Sequence, residues 1–258
     1  MLPGLPLSAQ APAPASAPTA RYAAAQLHCA RFVETSRSEI ETETARGAVN
    51  ATVEREGIWS FRARDTTGGV ALEAWYDSLA LRRRTSEGDV VPDTDGLIGG
   101  RYRGLLTASG EYAERARPFV PDEVAEVADL SGAGGDLLPR LPPRPLAPGE
   151  SWGDSALSLT RLQDTTLGGR PLQHFRLESR TETRTAIPRG DTVPIPLRQT
   201  TVEEGDLYWS PASGLVRRRR EITVEATVPS GGRVRQPARS RVVQQVELTR
   251  LPARRPCT

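Results

Sequence analysis

The sequence is poor in the residue types on which metal sites and redox sites depend. Two cysteines and two histidines occur among 258 residues, and the two cysteines lie far apart along the chain. Zinc coordination needs a close cluster of such ligands, so we expect no metal site and no cofactor. All 34 basic residues are arginine, which indicates the codon bias of a GC-rich genome rather than a function.

Long apolar runs and a strong net charge are also absent. No stretch reaches the ~20 apolar residues of a membrane-spanning helix, so we expect a soluble protein that does not span a membrane. A net charge of +2 is too small to attract nucleic acid over the whole molecule. Arginine runs at 82–84 and 217–220 are local exceptions. Strand alternation sends neighbouring arginines to opposite faces, so we expect ion-paired surfaces and no nucleic-acid partner.

The N-terminal segment indicates export. Ala9-Gln10-Ala11 matches the A-x-A pattern of a signal-peptide cleavage site, and the Ala/Pro stretch that follows is typical of a linker. We interpret residues 1–20 as a signal-peptide remnant and a linker, and we predict a mature chain that begins after Ala11. The expected location is the bacterial periplasm or the exterior. The alternative is a cytoplasmic protein with a disordered Ala/Pro tail.

Alternation of apolar and polar residues dominates the chain from residue 26 onwards and predicts β-strands. The predicted strands cover residues 25–44, 48–64, 69–85, 101–117, 154–165, 171–186, 197–210, 215–229 and 239–251. Short turns join most of them. We therefore predict an all-β fold: a large curved antiparallel meander sheet, like a half-barrel, in a single domain over residues 21–258. A division into two lobes near residues 142–150 is the alternative.

One segment near the middle has helical periodicity instead. Asp122 can cap a helix whose apolar face carries Val124, Val127 and Leu130, and a second short helical turn is predicted at 136–141. We expect these one or two short helices to lie in the concavity of the sheet, where they would cover part of its apolar face.

The strand predicted at 215–229 has a mixed apolar face. Ile222 and Val224 share this face with Arg218 and Arg220, because side chains two residues apart lie on the same side of a strand. This end of the strand therefore either projects past the core or lines a polar mouth.

Two segments carry a resemblance to a known group of proteins. Leu141-Pro142-Pro143 with Leu146-Ala147-Pro148-Gly149-Glu150-Ser151-Trp152, and the later segment 205–216, resemble uncharacterised exported bacterial β-proteins. Those proteins in turn resemble the half-barrels of outer-membrane lipoprotein carriers. The resemblance implies a curved sheet that shelters an amphiphile, and it carries over no catalytic residues.

Four tryptophans and two cysteines are the remaining candidates for special roles. Trp59, Trp75, Trp152 and Trp209 are candidates for the lining of a ligand cavity, and the alternative is that they pack in the sheet core. In an oxidising compartment Cys29 and Cys257 can form a disulfide, which we predict from the compartment and the count alone. The alternative is two free thiols.

Catalytic motifs are weak. Gly149-Glu150-Ser151-Trp152-Gly153 matches the G-x-S-x-G nucleophile turn by spelling, but it follows a proline-rich loop and precedes a strand-like segment. The only bases for a triad are His28 and His174, both on or near predicted strands. Asp93 and Asp95 resemble part of a calcium loop, but an ordinary Asp/Gly turn explains them better.

These observations favour a cell-envelope protein that is not an enzyme and has no catalytic residues. It would bind an apolar or amphiphilic molecule, such as a lipid, or an envelope protein in a sheet concavity. The alternatives are a hydrolase that uses Ser151 or the Asp93/Asp95 loop, and a structural or assembly module without a small ligand.

Overall fold

The computed structural model describes residues 18–45, 47–130, 132–189, 192–229 and 237–252. In this part of the chain thirteen strands form one large antiparallel sheet with three short helices, which confirms the predicted all-β fold. The strands are β1 (Arg31–Thr44), β2 (Gly47–Thr66), β3 (Gly69–Thr85), β4 (Gly88–Val90), β5 (Tyr102–Leu106), β6 (Tyr112–Ala116), β7 (Ser151–Gly153), β8 (Leu157–Arg161), β9 (Thr165–Leu167), β10 (Arg170–Arg189), β11 (Thr192–Ser210), β12 (Gly214–Val228) and β13 (Ala238–Leu251). The helices are α1 (Ala24–Leu27), α2 (Asp122–Ala125) and α3 (Ala133–Asp136).

The sheet is an open meander whose two halves meet in the middle. The strand order is β6-β5-β3-β2-β1-β13-β12-β11-β10-β8-β7, with β4 beside β3 and β9 beside β10. Pairing of the first and last long strands joins the halves, from Arg31 opposite Leu251 to Glu43 opposite Arg239. The sheet therefore runs without interruption from the first half of the chain to the second.

The two faces of the sheet differ in burial because side chains alternate along each strand. We call the inner face the one that carries Phe32, Trp59, Leu248, Leu207 and Phe175, all of which are at most 3 % exposed. The outer face carries the residues between them. The inner face holds the main hydrophobic core, and each buried Leu or Phe contributes about 1.5–3 kcal/mol to stability.

Residues 121–130 and 132–141 pack against the inner face and are together called the cover segment below. The predicted apolar positions Val124, Val127 and Leu130 are buried in the core, as expected. The helix itself is shorter than predicted, since it ends at Ala125, and Asp122 is its first residue rather than its cap. The predicted span of the second helix, 136–141, was wrong, since the helix runs from Ala133 to Asp136 and ends where that span begins.

Several predicted strands also differ from the structure. Within the predicted strand 154–165, β8 covers only Leu157–Arg161 and β9 begins at Thr165, and the strand predicted at 197–210 begins earlier, at residue 192. The first predicted strand begins at Arg31 rather than at residue 25, because Ala24–Leu27 is a helical turn and Cys29 turns the chain with a φ of 60°. The predicted strand 101–117 is divided into β5 and β6. Gly110 lies in the turn between them with a φ of 88°, and a Cβ atom there would lie 2.4 Å from the carbonyl oxygen of Pro139.

Candidate functional site

The inner face continues beyond the cover segment along the three central strands. We call this region the distal patch. It comprises Ser38, Ile40, Thr42, Ile222, Val224, Ala226, Ser240, Val242 and Gln244. Strand pairing sets these residues side by side, as in the row Ile40, Val242 and Val224. All the side chains of the patch are uncharged, and its four large apolar side chains are partly exposed rather than buried.

The outer face of the same three strands is strongly charged. Its residues include Glu39, Glu41, Glu43, Glu225, Arg239 and Arg241. Arg241 pairs with Glu225 at 3.9 Å, and both side chains line a surface groove of about 400 Å³. We call this part of β1, β12 and β13, with both of its faces, the distal sheet. Its outer face is charged and its inner face is uncharged, because alternation along each strand separates the two kinds of side chain.

A small charged cleft of about 90 Å³ lies where the cover segment ends on the inner face. Its floor includes Glu34, which is only 4 % exposed. The Glu34 carboxylate accepts hydrogen bonds from Trp59 Nε1 at 2.7 Å and from Arg55 at 2.5 Å, and Tyr76 donates at 3.4 Å. Desolvation and the nearby carboxylate together raise the pKa of Tyr76 well above its ordinary value, so its hydroxyl keeps its proton.

Arg55 lines this cleft and is incompletely satisfied. Burial lowers the pKa of its guanidinium, but the charge and hydrogen bond of Glu34, with smaller contributions from Tyr76 and Asp136, together outweigh that effect, and the pKa is raised. Arg55 Nε is buried without a hydrogen-bond partner in the described part of the chain. A buried donor without a partner costs about 1–3 kcal/mol, so a ligand acceptor that reached this atom would be stabilised by it.

Two further arginines of β12 line the same cleft. Arg218 donates to the main-chain oxygen of Asp136 at 2.7 Å and to Glu203 at 2.8 Å. Arg220 shares that same Glu203 carboxylate at the longer distance of 3.6 Å. Burial, with repulsion from Arg218, lowers the pKa of Arg220 to about 10. The guanidinium still carries its charge near neutral pH, in a place where that charge is poorly solvated.

The cleft and the distal patch are contiguous. Gln244 belongs to both: it lines the cleft and lies opposite Ile222 in the strand pairing. Its side-chain amide donates to Ser36 Oγ at 3.0 Å, which holds it in the plane of the sheet surface. The inner face thus offers one continuous surface with a charged end under the cover segment and an uncharged end beyond it.

The four candidate tryptophans are not brought together. Trp59 and Trp209 are at most 1 % exposed in the core, where Trp59 packs against Tyr76 at a ring distance of 3.7 Å. Trp75 lies on the outer face beneath Arg101, at 3.5 Å from the ring centroid. Trp152 is on the short strand β7 and is partly buried against the core.

The motif residues considered for catalysis have separate partners. Ser151 Oγ lies in β7 and hydrogen-bonds Thr160 at 2.8 Å, whereas His174 hydrogen-bonds Asp206 at 2.8 Å and stacks on Tyr208. The structure thus shows no Ser151–His174 hydrogen bond.

The other motif residues also lie apart from the cleft. His28 Nδ1 lies 3.0 Å from the main-chain oxygen of Ala63. Asp93 accepts from the Asp95 amide at 2.9 Å, as in the expected turn, and the described residues contain no cluster of metal-ligating side chains. Cys257 lies outside the described residues, so the disulfide with Cys29 stays a prediction.

Sequence reasoning found part of this site and missed the rest. Arg218 and Arg220 were singled out as lining either a projecting end or a polar mouth, and the structure places them at the mouth formed by the cleft. Glu34 and Arg55 were missed. The same alternation could have found them. Glu34 lies two residues after Phe32 and Arg55 lies two residues after Val53, so each charge shares a strand face with a buried apolar side chain.

A groove larger than the cleft lies on the outer face instead. It has a volume of about 600 Å³ and is lined by side chains of both signs, including Arg37, Arg219 and Glu247. Arg219 Nε donates to Glu247 at 2.9 Å, so the charges of this groove compensate each other. Exposed pairs of this kind contribute little to stability.

Comparison with known proteins shows a likeness of fold alone. No protein-family model and no curated protein matches the sequence. The solved structure described as lipid-protein interactions in lipovitellin aligns with a TM-score of 0.50 and 12% identity, over 86% of this chain and 25% of that chain. The chain therefore spans about a quarter of the lipovitellin chain.

Two other solved structures align more weakly. Neisserial surface protein A aligns with a TM-score of 0.23 and 9% identity, over 86% of this chain and 97% of that chain. A putative outer membrane lipoprotein-sorting protein domain from Vibrio parahaemolyticus aligns with a TM-score of 0.17 and 10% identity, over 89% of this chain and 87% of that chain. TM-scores this low do not establish a shared fold. Within the described residues, no helix has the length and apolarity needed to cross a membrane.

Proposed function

We propose that this protein is an exported, non-enzymatic protein of the bacterial envelope that binds an amphiphile on the distal patch. The observation that carries the proposal is the separation of charge between the two faces of the distal sheet. The outer face holds its glutamates and arginines in water, and the inner face has Ile40, Val224 and Val242 partly exposed with no charge beside them.

An acyl chain suits this surface for a physical reason. Removing apolar area from water is worth about 25 cal/mol per Å², or ~0.8 kcal/mol for each methylene group that is buried. The serine and threonine hydroxyls at the edges of the patch tolerate water or a polar neighbour, so the surface is stable when it is empty. Lipovitellin, whose structure is described by its lipid-protein interactions, has the similar fold and adds support.

The non-enzymatic part of the proposal rests on the separate partners of the motif residues. Ser151 hydrogen-bonds a threonine rather than a base, and His174 is engaged by Asp206. Export rests on the A-x-A motif at 9–11, which lies outside the described residues. A hydrophobic segment of another envelope protein is the competing occupant of the patch.

Isolation of the protein from its native cells tests ligand and export in one experiment. The purified protein is extracted with organic solvent for mass spectrometry, and its first residues are sequenced. We expect an acyl-chain compound near one equivalent per protein and an N-terminus after Ala11. A protein without any such compound, or with a co-purifying polypeptide instead, contradicts the ligand proposal, and an intact Met1 contradicts export.

A further inference from the structure

The charged cleft at the end of the distal patch has more hydrogen-bond donors than acceptors. Three arginines line it, and each guanidinium offers five N–H donors. The buried acceptors are few. Glu34 already accepts from Arg55, Trp59 and Tyr76, and Glu203 is shared by two arginines.

We infer that this cleft binds the oxyanion head group, a carboxylate or a phosphate, of the amphiphile whose chain lies on the distal patch. The inference rests on the proposed function and names the class of its ligand. Among the described residues, Arg55 Nε is buried without a hydrogen-bond partner, and the ion pair of Arg220 with Glu203 is 3.6 Å long, whereas Arg218 holds the same carboxylate at 2.8 Å. An oxyanion accepts from both arginines, since guanidinium groups bind such groups by paired hydrogen bonds.

The acidic residues at the cleft do not cancel this preference. Asp129 and Asp136 of the cover segment also line it, and the charge of Asp136 acts on Arg55 and Arg220, but both aspartates are exposed to solvent. Water and salt screen exposed charges strongly, whereas buried charges are screened much less. The side chains of Arg55, Arg218 and Arg220 are only 10–12% exposed, so the interior of the cleft is basic and its rim is acidic.

The geometry also sets the direction of the ligand. The cleft ends at Gln244, and from there the uncharged row continues through Val242 to Ser240. Strand residues advance by about 3.4 Å each, so the four steps from Ser38 to Thr42 span roughly 14 Å. A head group in the cleft therefore leaves its chain on the patch.

Head-group selectivity tests the inference. Laurate, dodecyl phosphate and monolaurin share a twelve-carbon chain but differ in head charge, and their binding below micelle formation is measured by titration calorimetry. We expect at least one of the two anionic probes to bind at least tenfold more tightly than the neutral monolaurin. In Arg220→Gln this advantage should disappear, while Glu203 keeps Arg218 as its partner. Arg219→Gln is the matched control, because its side chain lies on the outer face.

The outcomes separate the two proposals. If none of the three probes binds, the proposed function fails. If monolaurin binds as tightly as both anionic probes, the oxyanion cleft is wrong and amphiphile binding stands. That comparison uses the unaltered protein, so it holds even if Arg220→Gln does not fold. Binding of acetate and of inorganic phosphate is measured last. If either binds as tightly as the long-chain anionic probes, the cleft is a site for free anions and the inference is wrong.

Discussion

At the scale of single residues, a buried charge network anchors the inner face. Glu34 lies on the face of β1 that also carries Phe32, and it is the shared acceptor of Arg55, Trp59 and Tyr76. Burying a charge is costly unless it is paired and hydrogen-bonded, and here each condition is met. The network therefore holds β1, β2 and β3 together at the point where the cleft begins.

Removal of the Glu34 charge should destabilise the fold strongly. In Glu34→Gln, Arg55 keeps its buried charge but loses its counter-ion, and breaking a buried pair in this way costs about 3–5 kcal/mol. Denaturant unfolding monitored by circular dichroism measures the loss. Glu54→Gln is the matched control, because Glu54 pairs with Arg37 and Arg84 on the outer face, where an exposed pair is worth about 0–1 kcal/mol. Equal losses in the two variants would show that the buried network does not anchor the sheet.

The two arginines that β12 contributes to the cleft show how far sequence reasoning reaches. Alternation placed Arg218 and Arg220 on an apolar face correctly, because that argument needs only the strand period. It did not reveal that Glu203, fifteen residues before Arg218, or Asp136, on a different element, would meet them. Such partners depend on strand register and on the path of the cover segment, and neither is encoded within a short window of sequence.

At the scale of elements, β12 shows the two faces most clearly. Val224 points into the distal patch opposite Val242, and its neighbour Thr223 lies on the outer face opposite Val243. Both side chains are partly exposed, so a charged replacement at either position leaves the core intact. The two positions have similar burial but lie on opposite faces of the sheet.

A pair of substitutions on β12 therefore separates binding from stability. Val224→Glu places a charge in the patch and should weaken binding of the neutral dye N-phenyl-1-naphthylamine at least tenfold, because the carboxylate must be desolvated beneath the ligand. Thr223→Glu should leave binding within about twofold, since it adds a charge to a face that is already charged. Dye fluorescence measures both. Similar loss of binding in the two variants would place the site elsewhere.

Sequence patterns predicted the bounds of some strands and helices better than those of others. The long strands β3 and β12 were predicted to within a residue or two, because each alternates over most of its length and is interrupted by a single β-bulge. The helical segment was misjudged in length, since α2 ends after four residues although Val127 and Leu130 continue its apolar spacing into an irregular turn. Tertiary burial holds those side chains without a continuous helix, and local periodicity does not distinguish the two cases.

At the scale of the whole molecule, the pairing of β1 with β13 makes one sheet out of two half-chains. Turn signals predicted the meander within each half, but the pairing of the first and last long strands brings together residues more than 200 positions apart, such as Phe32 and Arg250. Sequence patterns at each strand carry no information about such a distant neighbour. The distal patch exists only because of this pairing, since Ile40 and Val242 lie side by side across it.

The central claim is that an acyl chain lies on the inner face of the distal sheet. A fatty acid that carries a photoactivatable diazirine in its chain tests this most directly, with the labelled residues identified by peptide mass spectrometry after irradiation. We predict labels on the inner-face residues of these strands, and we expect unlabelled laurate to compete them away: Ser38, Ile40, Thr42, Ile222, Val224, Ala226, Ser240, Val242 and Gln244. Labels on the charged outer face at Glu41, Arg241 or Glu225, or no label that laurate displaces, would contradict the account.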